Sequence, residues 1–426
     1  MKRPHLLRRL STLRPRSGRK LPKQYRVRNV DLLAFKATKG VRDPAFAELL
    51  SEIDDGAPLH TGHQVELFFR GDQAFDAMCD AIAGARREIL LESYTLKSDR
   101  TGRRIYGGLR EASLRGVTVR VIADAVGSFE TDEEFWEQIR DSDVDFQLYH
   151  PLLGKIWKTL YRDHRKILVV DREVAFTGGM NIADEYGYGD EDGDAWRDTH
   201  VRARGSVAQE MAGVFLEGWL RAGGEPFELG EWEERARDEE TEAGEARLLV
   251  LDARPRRGHL EAAAILAAIT GAARDFVWIS NAYFAPGRAA VDVLGRAAAR
   301  GVDVRLLLQK RTDAPLVRHA GHGWFSELIS RGVRIYEYQG PMLHAKTLVA
   351  DGYASVVGST NLDFRSFHFN AECNLVILDE DSGSRIATAF RRDLGQAREI
   401  ELGPWRSRPW LHRLGDRVCR WLSPVL

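Results

Sequence analysis

One eight-residue pattern, His-x-Lys-x-x-x-x-Asp, occurs twice in this chain and limits what it can fold into. The first copy reads HRKILVVD, from His164 to Asp171, and the second reads HAKTLVAD, from His344 to Asp351. Six residues beyond each copy stands a small turn ending in Asn: GGMN (178–181) and GSTN (358–361). Two matches 180 residues apart with the same downstream spacing indicate a duplicated unit, and a repeat is weighed before any local signal.

The surrounding sequence repeats as well. REILLESYTL (87–96), a helical stretch and GVTVRVIAD (116–124) correspond to RDFVWISNAYF (274–284), a helical stretch and GVDVRLLLQ (301–309). VDFQLYH (144–150) then corresponds to VRIYEYQ (333–339). Short apolar runs alternating with helical stretches predict an α/β fold: two similar units, each a mostly parallel sheet flanked by helices, packed with pseudo-twofold symmetry around one site. The expected boundaries are a basic segment at 1–58, a first unit at 59–227, an acidic linker at 228–245, a second unit at 246–400 and a Trp/Arg-rich end at 401–426.

Side chains alternate faces along a strand, so His164 and Lys166 point the same way, as do His344 and Lys346. Two facing units make a pocket with two imidazoles and two ammonium groups. That set suits a phosphodiester: the lysines neutralise non-bridging oxygens, one histidine attacks phosphorus and the other protonates the leaving alkoxide. Asp171 and Asp351 complete the motifs but lie far along the strands from the histidines, which gives them a structural or orienting role. The turns offer backbone N–H groups and side chains, with Gly179, Asn181, Ser359 and Asn361 as phosphate-binding or supporting residues. Each histidine needs an acceptor to fix its tautomer. Asp198 in WRDTH and Glu372 in FNAEC are the candidates, each shortly after its own motif.

With these residues in view, the chain resembles the phospholipase D superfamily and, more closely, its bacterial cardiolipin synthases in a short form without transmembrane helices. YRDHRKILVVD, FTGGMNIADEY, WRDTH, GVRIYEYQ and MLHAKTLVADGYASVVGSTNLDFRSFHFNAE carry the resemblance, over roughly residues 60–400. It implies phosphatidyl transfer through a phosphohistidine without a metal or other cofactor, with His164 as nucleophile and His344 as general acid. Two phosphatidylglycerols would yield cardiolipin and glycerol, and phosphatidylethanolamine is a second possible donor. The alternatives are a hydrolase releasing phosphatidic acid and, behind it, a nuclease. A net charge of −1 and the lack of a basic, aromatic-interleaved stripe argue against nucleic acid.

Three cysteines without paired spacing predict free thiols. No apolar run approaches the ~20 residues of a spanning helix. The expected location is therefore peripheral, on the cytoplasmic face of the membrane, with an anionic lipid surface as partner and no obligatory protein partner. Three segments are candidates for that contact. Residues 1–42 hold fourteen Lys or Arg and one acid, Asp31; residues 404–422 mix three tryptophans with five arginines; and residues 152–161 set Trp157 among leucines and lysines. His319 and His322 read as helix-surface residues, and His60 and His63 as structural.

Overall fold

The computed structural model describes residues 27–54, 57–150, 161–189, 194–229, 244–254 and 259–423. The body of the linker, most of the 152–161 segment and the first part of the basic N-terminus lie outside the described residues.

The first unit contributes β1 (His60–Phe68), β2 (Glu88–Ser93), β3 (Thr118–Asp124), β4 (Asp145–Tyr149), β5 (Lys166–Val170), β6 (Val174–Gly178) and β7 (His200–Arg204). The second contributes β8 (Ala246–Ala253), β9 (Phe276–Asn281), β10 (Asp303–Gln309), β11 (Arg334–Tyr338), β12 (Lys346–Ala350), β13 (Ala354–Gly358), β14 (Glu372–Leu378) and β15 (Ala397–Glu399). They form one 15-stranded sheet in the order β15-β11-β10-β9-β12-β13-β14-β8-β1-β7-β6-β5-β2-β3-β4. The units meet where β1 pairs antiparallel with β8.

The expectation of mostly parallel sheets holds only for β2-β3-β4 and β9-β10-β11, whose strands are joined by helical crossovers. The motif strands run antiparallel to both neighbours. The cause is local. Asp171 and Arg172, like Asp351 and Gly352, sit at positive φ in tight turns, and such turns fold a strand straight back on itself. The residues ILVV and TLV that follow the two lysines are buried, as a central strand requires.

The N-terminal segment is not a uniform basic tail. Val27–Ala37 and Pro44–Ile53 are helices packed on the second unit, with Val30, Ala34, Phe46 and Leu50 in its core. Asp31 is fully buried and accepts two hydrogen bonds from Arg296, at 2.8 and 3.0 Å, which tie the first of these helices to the second unit. A second core draws on both units, bringing Ile167, Val201 and Trp219 together with Val349, Leu375 and Trp278.

The C-terminal end forms two helices, Leu402–Arg406 and Trp410–Leu422. Asp416 pins the second: it accepts from His319 Nδ1 at 2.8 Å and from Arg408 at 2.9 Å. Its carboxylate is held down to about 2: burial pushes it up, but the hydrogen bonds from His322 and His319 prevail. The opposite face leaves Trp410, Leu411, Leu414, Val418 and Trp421 exposed. His60 bonds Glu210 at 2.6 Å and His63 bonds the Arg204 carbonyl at 2.7 Å, the structural roles expected of them.

Candidate active site

β5 and β12 each begin at the motif lysine, with the histidine two residues earlier, so both pairs emerge at the strand starts. His164, Lys166, His344 and Lys346 are all buried. The chain just before each histidine bridges to the other unit: His164 N–H donates to the Ala371 carbonyl at 2.9 Å, and His344 N–H donates to the Arg197 carbonyl at 2.8 Å.

Those bridges exchange the carboxylates. Asp198 and Glu372 each reach a motif histidine, but that of the other unit. His164 Nδ1 lies 2.9 Å from Glu372 Oε2, and His344 Nδ1 lies 2.8 Å from Asp198 Oδ2. Sequence proximity pointed to the neighbour along the chain, whereas the interlocked strand starts bring the distant carboxylate closer. An acceptor at Nδ1 holds the proton there and leaves the Nε2 lone pair for chemistry. Lys346 Nζ approaches His344 Nε2 at 2.9 Å, and Lys166 Nζ donates to the His164 carbonyl at 2.8 Å.

Electrostatics follow from enclosing four cationic or potentially cationic groups. Burial lowers Lys166 to about 7 and Lys346 to about 8. Burial, followed by the repulsion of Lys346, lowers His344 to about 4. His164 moves down for the same reasons, with Lys166, Lys346 and Arg365 adding to burial. The carboxylates differ. Burial raises Glu372 to about 7, against the pull of Lys166. Asp198 is held low: burial opposes ionisation, but the His344 hydrogen bond and Lys346 outweigh it. His344 thus has an ionised partner, while burial draws Glu372 toward its neutral form. Although His164 and Glu372 are at ion-pair distance, these opposed shifts favour a hydrogen bond between neutral groups over two full charges.

The motif aspartates lie at the far ends of the strands. Asp171 accepts from the backbone N–H groups of Arg86, Arg87 and Glu88 at 2.8 to 3.0 Å, and Asp351 from those of Arg274, Asp275 and Phe276 at 2.8 to 2.9 Å. Each ties its turn to the start of a neighbouring strand and touches neither imidazole. Grouped by motif with the catalytic set, they are structural by position.

The two Gly-rich turns support the carboxylates instead of presenting a row of free N–H groups. Gly179 N–H is taken by the Thr199 carbonyl and Ser359 N–H by the Cys373 carbonyl, both at 3.0 Å. A Cβ at Gly179 would come within 2.2 Å of Asp198 Oδ1, so glycine lets the carboxylate reach His344. Asn181 donates to Tyr186 Oη at 2.8 Å and accepts from Thr95 N–H at 3.3 Å. Asn370 Nδ2 donates to Glu372 Oε1 at 3.4 Å, and the Ser359 and Ser366 hydroxyls beside that carboxylate favour its ionised form. Asn361 N–H bonds Ser366 Oγ at 3.2 Å, while its Oδ1 is buried with no partner among the described residues.

Sequence reasoning missed the aromatic walls. The Tyr94 ring stands 4.8 Å from the His164 ring, and Tyr186, Trp196 and Tyr283 stand 5.4, 5.7 and 6.0 Å from that of His344. Lys166 lies 5.1 Å above the Tyr94 ring, where the π face steadies an ammonium. For Tyr94 and Tyr283 the signal was an aromatic just past the end of β2 and of β9, in SYT and AYF.

The comparisons agree with this geometry. The family model described as "Cardiolipin synthase, PLD-like domain" matches residues 78–215 and 265–394, one segment per motif. Cardiolipin synthase 2 of Bacillus anthracis is 34% identical over 394 residues, covering 91% of this chain and 76% of that one. The cardiolipin synthase of Geobacillus thermodenitrificans is 34% identical over 371 residues, covering 87% and 74%. Among solved structures, the phosphatidylserine synthase of Haemophilus influenzae shares the fold, with a TM-score of 0.69 at 13% identity, covering 89% of this chain and all of that one. With both motif segments matched and relatives this similar along most of its length, the chain belongs to the cardiolipin synthase family of phospholipase D-like proteins.

Proposed function

We propose that the protein is a phosphatidyltransferase that joins two phosphatidylglycerols into cardiolipin and releases glycerol. The observation that carries this reading is the pair of exchanged histidine–carboxylate contacts, which place two oriented imidazoles and two ammonium groups in one buried site.

His164 Nε2 attacks the phosphorus of the first lipid, forming a P–N bond while the bond to the glycerol headgroup oxygen breaks. His344 gives that oxygen its proton, and glycerol leaves. The headgroup hydroxyl of a second phosphatidylglycerol then passes its proton to His344, its oxygen attacks phosphorus, and the P–N bond breaks. The lysines offset charge on the non-bridging oxygens throughout. With Lys166 at about 7 and Lys346 at about 8, part of this charge is suppressed until a phosphodiester anion arrives. The same anion raises the depressed imidazole of His344 toward the range a general acid needs.

The enzyme works peripherally on an anionic bilayer. No described helix is long and apolar enough to cross a membrane. The exposed stripe of Trp410–Leu422, with Trp421 80% exposed and Arg413 and Arg417 on the same helix, suits the interface between headgroups and acyl chains.

The test is mass spectrometry of lipids after incubation with phosphatidylglycerol vesicles in chelator. Cardiolipin with stoichiometric glycerol is the expected result. Phosphatidic acid alone would make water the acceptor and the enzyme a hydrolase.

A further inference from the structure

A cavity of about 730 Å³ opens beside Lys346 and lies entirely in the second unit, between helices His259–Ala272 and Arg288–Ala299 and the sheet. Leu266, Ile279, Leu294 and Leu348 form its aliphatic walls, and its polar lining includes Lys346 and the Asn374–Thr360 pair on the motif strands' side. The size suits one small-molecule ligand.

The repeat explains why the space exists here. Phe75 and Ala263 each stand thirteen residues before the first residue of the next strand, Glu88 and Phe276. Ile105 and Ala290 each stand eleven residues before the left-handed glycine that follows the helix, Gly116 and Gly301. Phe176 and Val356 are the third residues of β6 and β13, and Met180 and Thr360 are the third residues of the two Gly-rich turns. In the first unit all four side chains are buried in one core. In the second unit, Ala263, Ala290, Val356 and Thr360 all line the cavity. Four large-to-small exchanges at matched positions sacrifice packing, and space lined this way disfavours water and accepts an apolar guest.

We propose that this cavity takes one fatty acyl chain of the lipid whose phosphate lies at His344 and Lys346; the proposal rests on the lipid-transfer reading above. At the matched positions the first unit is filled by Phe75, Ile105, Phe176 and Met180, all buried in one core. One of the two substrate lipids therefore inserts a chain into the protein, and the other keeps both chains in the bilayer. Chain-length selectivity resides in the second unit alone.

The experiment compares wild type with Ala263→Phe and Ala290→Ile, each of which installs the first-unit residue. Dioleoyl- and dihexanoyl-phosphatidylglycerol are the substrates. The ratio of kcat/KM, long chain over short, falls about tenfold in each variant if the chain occupies the cavity. An unchanged ratio in folded variants overturns the proposal. Because added bulk can also prevent folding, wild type is irradiated with phosphatidylglycerol carrying a diazirine in one acyl chain. Label on helices 259–272 and 288–299 is expected, and label confined to other segments overturns the chain site. Wild-type turnover separates the two readings. Label on these helices without transfer sustains the chain site and sinks the transferase, whereas transfer with label elsewhere does the reverse.

Discussion

At the residue scale, the exchanged carboxylates give the two histidines different chemical partners, and this difference is testable. Glu372→Gln weakens the orientation of His164, the proposed nucleophile, and Asp198→Asn that of His344, the proposed acid. Each lowers kcat with phosphatidylglycerol by ~10²–10⁴. With a phosphatidyl p-nitrophenol donor the leaving group needs no proton, so first-step burst kinetics recover in Asp198→Asn and stay slow in Glu372→Gln. Recovery in Glu372→Gln alone would reverse the two roles. A second prediction concerns stability. Burial lowers His200, like His344, to about 4, so both stay neutral in the fold where the unfolded chain, titrating near ~6.5, takes up protons. Between those values the unfolded state binds more protons, so their contribution is complete above pH ~6.5 and is lost as pH falls toward 4. The melting temperature should therefore drop across that window. His200→Asn, which installs the residue found at the matching position of β14, should shallow the slope; an unchanged slope would remove His200 as a contributor.

At the element scale, the motif's last residue is a clamp on a turn. Asp171 gathers three N–H groups at the start of β2 while holding φ +53°. Asn tolerates that backbone but offers one neutral acceptor in place of a carboxylate. Asp171→Asn should therefore cost about 2–3 kcal/mol of stability. Denaturant unfolding measures that cost, while turnover by the folded fraction at low temperature stays close to wild type. A selective loss of kcat with no loss of stability would move Asp171 into the chemistry. This scale also shows what the sequence made legible. Both motif strands, their lysines and the α/β crossovers were readable, because apolar runs and alternation are local properties. The antiparallel setting of β5 and β12 was not, because it depends on turns with two residues at positive φ and on long-range pairing with β2 and β9. Nor was the partnership of His164 with Glu372, 208 residues away, since spacing along a chain carries no record of which strand starts interlock. The helices Val27–Ala37 and Pro44–Ile53 were masked by the basic residues around them, although their buried apolar residues do the packing.

At the scale of the whole molecule, one sheet and one mixed core bind the two units into a single cooperative body. Calorimetry should show one unfolding transition, and residues 1–227 or 246–426 made alone should show no transferase activity. Two resolved transitions would mean that the β1–β8 pairing and the mixed core are weaker than their burial suggests. The exchanged histidine contacts also bear on how the enzyme comes into being. Synthesis runs from the amino end, so the first half leaves the ribosome before Glu372 and His344 exist. During that interval His164 has neither its carboxylate nor its acid. On the proposed mechanism a chain cut short before His344 is chemically silent toward lipid, and the reaction becomes available only when the segment bearing His344 and Glu372 has been made and folded against the first unit.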